Sequence, residues 1–349
     1  MKKKTLADQI AKKAFESDQF QSSWQIHIQA FGPILEPAFA DNYQARVHLT
    51  AALNHLSKRD AQASFNKLAT LKDSCECNAD HAALMFFFGL CFEVMGEKDR
   101  MLACYTASGE YGHSFYLPYL KIAKSAHSDS VYDVAEQNYR SAISCYDGIA
   151  LSERDKVILA SAYSNLAACL TMMHRYSDAE NALATSAAIL PQQQGRDATQ
   201  AILYAAMGNE VEAAKCIENL KLQLPTLVSP TQQNISKILN GTHPHFHIVE
   251  INHDNINRFW QWFKDHAPEI ASHAERGSYD EILSSLQVQL ASVFPFMERP
   301  CELGIMPQEY GYEITFADFY MVSLQNGYKQ LIAACPEVLR QQWHFTLAH

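Results

Sequence analysis

Glycine and proline are scarce, 13 and 12 in 349 residues, too few for a sandwich or barrel that needs a turn about every ten residues. The low hydropathy and dense charge of a disordered chain are missing as well, since 48% of residues are hydrophobic and 19% charged, so the chain is expected to fold throughout. A basic surplus is lacking: 28 Lys and Arg face 38 Asp and Glu, a net charge of −10, which argues against nucleic acid as a partner. No apolar run is long enough for a bilayer. Ala82 to Met95 is short and holds Glu93, and Leu159 to Met173 is diluted by Ser, Thr and Asn, so no membrane association is expected. The basic opening lacks the apolar stretch of a signal peptide, because Asp8, Lys12 and Lys13 interrupt it, and a soluble cytoplasmic protein is expected. The nine cysteines include Cys91, Cys104, Cys145, Cys169 and Cys216 in helix-like segments, which read as reduced, buried small residues. Cys75-Glu-Cys77 has no second pair to complete a zinc set. A Gly-rich phosphate loop, a Gly-x-Ser-x-Gly elbow and a His-Glu-x-x-His helix are all absent. No catalytic residue, cofactor or metal is therefore assigned.

What the chain does have is an internal repeat. Gly89, Ala123, Ala167 and Ala201 are spaced by 34, 44 and 34 residues. The column Gly96, Ser130, His174, Gly208 keeps the same offsets, as does Met101, Ala135, Ala179, Ala213. Pro191 and Pro225 close the last two units. In physical terms each unit is two helices in contact at small residues (Gly89, Ala123, Ala179), with Phe92, Tyr105 and Tyr139 filling the adjoining holes. The ten extra residues between the third and fourth units read as longer helices, with a turn near Gly148 and a helix start at Ser152-Glu-Arg-Asp.

The clearest unit runs Tyr163-x2-Leu166-Ala167-x2-Leu170, then Tyr176-x2-Ala179-x3-Leu183, and ends at Pro191. Before it stand Tyr119-x2-Ile122-Ala123 with Tyr132-x2-Ala135-x3-Tyr139, and Phe88-Gly89-x2-Phe92 with Gly96 and Tyr105. After it, Ala201, Gly208, Ala213 and Pro225 follow, with Gln200 where Leu is expected; a degenerate unit holds Leu49, Ala52, Ala61, Phe65 and Leu68. These units resemble the tetratricopeptide repeat (TPR) over about 42 to 225. The resemblance implies a mainly α fold, a TPR-like α-α superhelix of about five helical hairpins, with a concave face that binds protein or peptide. It also implies which residues line that face: Phe86, Leu90, Glu93 and Val94; Leu120, Lys124, His127 and Ser128; Ser164, Ala168, Thr171 and Met172; and Ala198, Ile202, Ala205 and Ala206. Lys124 is the one basic residue among them, so the groove is expected to take an apolar helix or strand, from a partner or from this chain, and not an acidic C-terminal peptide.

The flanks complete the division of the chain. Residues 1–41 hold Leu6, Ile10, Phe15, Trp24, Ile28 and Phe31 at helical spacing before Gly32-Pro33 and read as a helical cap on the array, residues 42–226. Residues 227–245, with Pro230, Gly241 and Pro244, read as a short helix and linker. Residues 246–349 read as a small α+β domain: a strand at Phe246–Ile251, helices from Phe259 and over Tyr279–Val293, strands at 302–306, 312–316 and 343–347, and an antiparallel sheet with helices on one face. The Phe-Trp-x-Trp-Phe opening and Trp-x-Phe ending resemble a small α/β domain of uncharacterised bacterial proteins.

Two groups of residues offer chemistry. His243, His245, His247 and His253, joined by His344 and His349 if the last strand lies alongside, would be part of a zinc site, against the reading of exposed or edge-strand histidines. Glu302, Glu309, Glu313 and Asp318 would hold a carboxylate pair across the hairpin, against plain exposed charges. The expectation is a non-enzymatic interaction scaffold, with an enzyme whose site lies in residues 246–349 as the alternative. The sequence leaves the oligomeric state open.

Overall fold

In the computed structural model, which describes residues 6–112, 114–297 and 300–348, the chain is mostly helical with one small sheet. It divides between Leu166 and Ala167 into two compact units, each described by itself.

The first unit opens with α1 (Leu6–Phe15) and α2 (Asp18–Leu35). The described side chains begin at Ala11, so Leu6 and Ile10 of the amphipathic spacing fall outside them. α1 packs on α3 (Tyr43–Ser57), and Phe15 meets the rings of Phe20, Trp24 and Tyr43. Arg46 lies over Phe15 and Trp24, a cation on two ring faces. Next come α4 (Ala61–Ala69), α5 (Asn78–Met95), α6 (Lys98–Tyr111), α7 (Tyr116–Ser128) and α8 (Tyr132–Ser144). They pack as the pairs α3/α4, α5/α6 and α7/α8, and α4 on α5 and α6 on α7 join one pair to the next. Where α5 crosses α6, Gly89 lets the buried Tyr105 ring lie against its backbone; a Cβ there would stand 2.5 Å from that ring. Asp80, buried at the start of α5, accepts from the backbone N–H of Phe39, Glu76 and Cys77. α9 (Glu153–Met172) begins with Ser152 and Asp155 capping each other. The extra length of this region divides between a longer helix of 20 residues and a connection at 145–152 in which Gly148 takes φ 73°.

α9 runs into the second unit and is followed by α10 (Tyr176–Ile189), α11 (Arg196–Ala206), α12 (Glu210–Gln223) and α13 (Val228–Leu239). The repeated column Gly96, Ser130, His174, Gly208 is the left-handed residue of each turn within a hairpin, at φ 78°, 59°, 61° and 75°, and Arg59 at φ 60° is its counterpart between α3 and α4. In all five turns the N–H after that residue reaches the carbonyl five residues back: Asp60 to His55, Glu97 to Phe92, Val131 to Ala126, Arg175 to Leu170 and Asn209 to Tyr204. This is a Schellman closure, and each second helix starts one residue beyond it. A helical-hairpin repeat is thus visible in the backbone itself.

α14 (His253–Arg276) and α15 (Asp280–Val293) precede β1 (Leu303–Gln308) and β2 (Gly311–Ala317); α16 (Val322–Ala333), α17 (Glu337–Arg340) and β3 (Trp343–Ala348) follow. The strand order is β1-β2-β3. β1 and β2 are antiparallel, with Leu303 opposite Phe316, but β3 runs parallel to β2, with Tyr312 opposite Trp343. The sheet is therefore mixed, not antiparallel as expected, because α16 and α17 carry the chain back to the end where β2 starts. Alternation places Tyr312, Ile314, Phe316 and Trp343 in a core with Phe259, Trp260 and Phe263 of α14. Phe246–Ile251, expected as a strand, is irregular. Its neighbourhood serves α16 instead: Val322 and Ser323 N–H donate to the carbonyls of His245 and Pro244, and the Ser323 hydroxyl joins the carbonyl of His247 to the N–H of Val249. Among the described residues no helix is long and apolar enough to cross a membrane.

Candidate functional site

The residues expected to line the groove have unequal surroundings. In the first unit Phe86 is fully buried, because Phe31 of α2 sits edge-on to it and to Phe87, with ring centroids 6.0 and 5.4 Å apart. Leu90 and Ser164 are buried, Leu120 is half-buried, and Glu93, Val94, Lys124 and Ser128 are exposed. His127 is half-buried with its ring edge-on to Tyr132 and Tyr139, and burial pushes its pKa down. In the second unit Thr171 is buried and donates to the Ala167 carbonyl; Ala205 is buried, while Ala168, Met172 and Ala206 are half-buried. Ala198 and Ile202 of α11 are half-buried under Val228, Ile235 and Ile238 of α13. The chain's own helices α2 and α13 thus cover some of the positions expected to line the groove.

Among the described residues of the first unit lie two adjoining clefts, and Glu93 and Lys121 line both. One, of 440 Å³, lies among α5, α6 and α7, with Phe92, Met101, Lys98, Lys124 and Ser128 on its walls. The other, of 630 Å³, lies between α2 and the inner helices α3 and α5. At their junction the Lys121 ammonium donates to both Glu93 oxygens, at 3.0 and 2.8 Å, and the Tyr105 hydroxyl donates to Oε2 at 2.5 Å. Burial alone would raise the Glu93 carboxyl, but the Lys121 ammonium and the Tyr105 hydroxyl outweigh it and hold the group below its usual pKa. Burial first, and the Glu93 charge second, drive the Tyr105 phenol far upward. Neither side chain is poised to transfer protons near neutrality; the trio ties α5, α6 and α7 together at the cleft floor. On the rim of the smaller cleft Lys98 pairs with Asp129 at 2.6 Å.

Arg59, Lys121, Lys98, Ile26 and Phe31 line or flank these clefts and were not foreseen. Arg59 alone carried a signal in the sequence, as the turn residue of the first hairpin, and the repeat offsets hid it because it stands 37 residues before Gly96 rather than 34.

The chemistry-bearing groups elsewhere do not assemble as ligands. Among the described residues no three His, Cys, Asp or Glu are placed to hold a metal ion. The ring of His243 meets those of His245 and Phe246, with centroids 5.7 and 5.0 Å apart, and burial, with Lys237 and His247 nearby, pushes its pKa down to about 4. His247 Nε2 is 2.6 Å from the Ile238 carbonyl, and His253 opens α14. His344 stands opposite Glu313 on the outer face of the sheet, and His349 lies outside the described residues. Of the four acids, Glu309 and Glu313 share a cleft of 450 Å³ with His344, which neither Glu302 nor Asp318 lines. Glu313 accepts from Gln308 and Thr346; Asp318 is fully buried and accepts from Tyr320 N–H. Cys77 caps α5 and Cys75 donates to the Leu71 carbonyl. Burial, then Asp80, pushes the Cys75 thiol up to about 11, away from the thiolate that a metal or redox role requires.

No family model matches the chain, and no curated protein matches it.

Proposed function

We propose that the chain is a non-enzymatic scaffold for protein interaction, a TPR-type array of cytoplasmic hairpins on which a partner's apolar segment docks. The observation that supports this reading is the five-fold recurrence of one left-handed turn and one closing hydrogen bond. A repeat so regular in its backbone and so variable in its exposed side chains is built to hold a surface. The surface lies on α5 and α7, where Val94 is 47% exposed and Leu120 and Lys124 flank the fixed Glu93–Lys121 pair. With Glu93 neutralised by Lys121, the apolar side chains carry the affinity, and the charges orient the guest.

Photo-crosslinking groups placed singly at Val94, Leu120 and Lys124 test the reading, with one at Asn138, half-buried on α8, as the outer control. The inner positions are expected to capture the same partner segment, and Asn138 to capture none of it. Equal capture at all four positions, or capture at Asn138 alone, would overturn the proposal.

A further inference from the structure

The larger cleft has a chemistry of its own. One wall is α2, contributing Ile26, Ala30 and Phe31; the opposite wall is Leu53 and Leu56 of α3 with Leu90 and Val94 of α5. α2 is fixed as a wall at both ends of this stretch. Ser23 and His27 both bind the Asn54 side-chain oxygen at 2.9 Å. Farther along, the helix breaks at Phe31, which has φ −131° and ψ 21° ahead of Pro33. Proline supplies no N–H, and the Arg154 guanidinium donates to the neighbouring Ala30 carbonyl at 2.9 Å. The break turns the Phe31 ring down onto Phe86 and Phe87 and leaves open the space beside it.

Size and charge then select the guest. A cleft of 630 Å³ falls within the range of about 300 to 1,000 Å³ typical of small-ligand sites. A helix about 10 to 12 Å across fills roughly 500 Å³ in a single turn, so a helix of two turns exceeds the cleft while α2 is in place, whereas a flexible chain fits. Two of the lining apolar side chains still face water, Ile26 at 65% and Val94 at 47% exposure. Lys121, on the same cleft, is spent on Glu93. Arg59 is not spent: it lines the cleft, and its guanidinium meets no acid among the described residues. A spare cation beside apolar walls is complementary to an apolar tail carrying one anionic head.

We infer that the cleft between α2 and the inner helices α3 and α5 binds a small amphiphile with one carboxylate, its chain lying along Leu53, Leu56, Leu90 and Val94 and its head on Arg59. A guanidinium matches a carboxylate with two parallel hydrogen bonds. The inference does not rest on the docking reading: the two share Val94, but Leu53, Leu56 and Arg59 line this cleft and are no part of the docking surface, whose Lys124 lines the other cleft.

The probes are butanoate, octanoate and dodecanoate, titrated calorimetrically into the full chain below their micelle concentrations, with dodecyltrimethylammonium as the opposite head on the same tail. One dodecanoate per chain is expected, bound at least a hundredfold more tightly than butanoate and at least tenfold more tightly than the cationic amphiphile. Arg59→Asn keeps a residue that tolerates the left-handed conformation and should weaken dodecanoate at least tenfold without lowering the melting temperature. Leu56→Trp should fill the cleft and also weaken dodecanoate at least tenfold. Saturable binding that ignores chain length, an affinity the same in both variants, or no binding at all would each overturn the inference. So would photo-capture of a partner protein from Leu56 that dodecanoate does not reduce, because the cleft would then belong to that protein. Crosslinking at Leu120 and Lys124 is read separately, so either proposal can fail without the other.

Discussion

At the scale of single residues, the first unit depends on a few contacts that permit little change. Gly89 is one. The Tyr105 ring beside it is fully buried, and its hydroxyl is held by Glu93, so the ring has little freedom to retreat from a new methyl group. Gly89→Ala is expected to destabilise the chain by about 1 to 3 kcal/mol through overpacking, despite the better helix propensity of alanine. Paired with Tyr105→Phe, which frees the ring from Glu93, the cost should shrink, and chemical denaturation of both variants checks this. The sequence revealed this contact as two columns of the repeat, a small residue and an aromatic one. It did not reveal that Glu93 and Lys121 meet there. Their approach at 2.8 Å depends on how α7 stacks on the preceding pair, and no periodicity in the sequence encodes that stacking. Leu120 and Lys124 hold set places within one unit, whereas Lys121 acts through Glu93 of the preceding unit and Arg59 stands at a turn 37 residues before Gly96, outside the 34-residue offset.

At the scale of elements, the turn within each hairpin explains the repeat better than the helices do. Helices of 9 to 20 residues recur in the array, but the left-handed residue and its closing bond do not vary. Glycine fills this position at Gly96 and Gly208, while Arg59, Ser130 and His174 carry the strain of a side chain at positive φ. A non-glycine residue in this conformation costs about 1 to 2 kcal/mol, and glycine gives back part of the gain as unfolded-state entropy. Ser130→Gly is therefore expected to stabilise the chain by about 0.5 to 1 kcal/mol, and Gly96→Ala to destabilise it by about 1 kcal/mol. Thermal melts of the two variants should shift in opposite directions; a shift in the same direction would show that neighbouring contacts, not the turn, set the energy. The misread elements lie outside the array. Phe246–Ile251 has the β-branched and aromatic residues of a strand, but with the N–H groups of Val322 and Ser323 and the hydroxyl of Ser323 to satisfy, the backbone at 244–249 serves a helix start. Residue type reports strand preference and does not report where the backbone hydrogen bonds go.

At the scale of the whole chain, the repeat announced the helical hairpins and the residue pattern announced the small C-terminal sheet, but neither announced the division between Leu166 and Ala167. That division falls within α9, where no glycine or proline interrupts the helix. Contact density decides it, and contact density is a property of the packed chain. The core of the α+β part, by contrast, is closed within its own sequence: its buried members run from Ile251 to Trp343, and no residue of the hairpins is among them. Trp260 is bonded inside that core, its indole N–H reaching the Leu331 carbonyl at 2.8 Å. Independent folding follows if the start of α16 keeps its partners, and those partners are Pro244, His245, His247 and Val249. The expected outcome is that residues 243–349 alone give dispersed amide signals and a cooperative melt. A fragment beginning at 253 would lose the acceptors for Val322 and Ser323 and should be less stable by about 1 to 3 kcal/mol for each buried group left unpaired. Equal stability of the two fragments would show that water replaces the 244–249 backbone at the helix start. An unfolded longer fragment would show that the hairpins supply a contact this core requires, such as His174, whose Nε2 is 3.1 Å from the Tyr320 carbonyl and whose ring lies edge-on to Phe246.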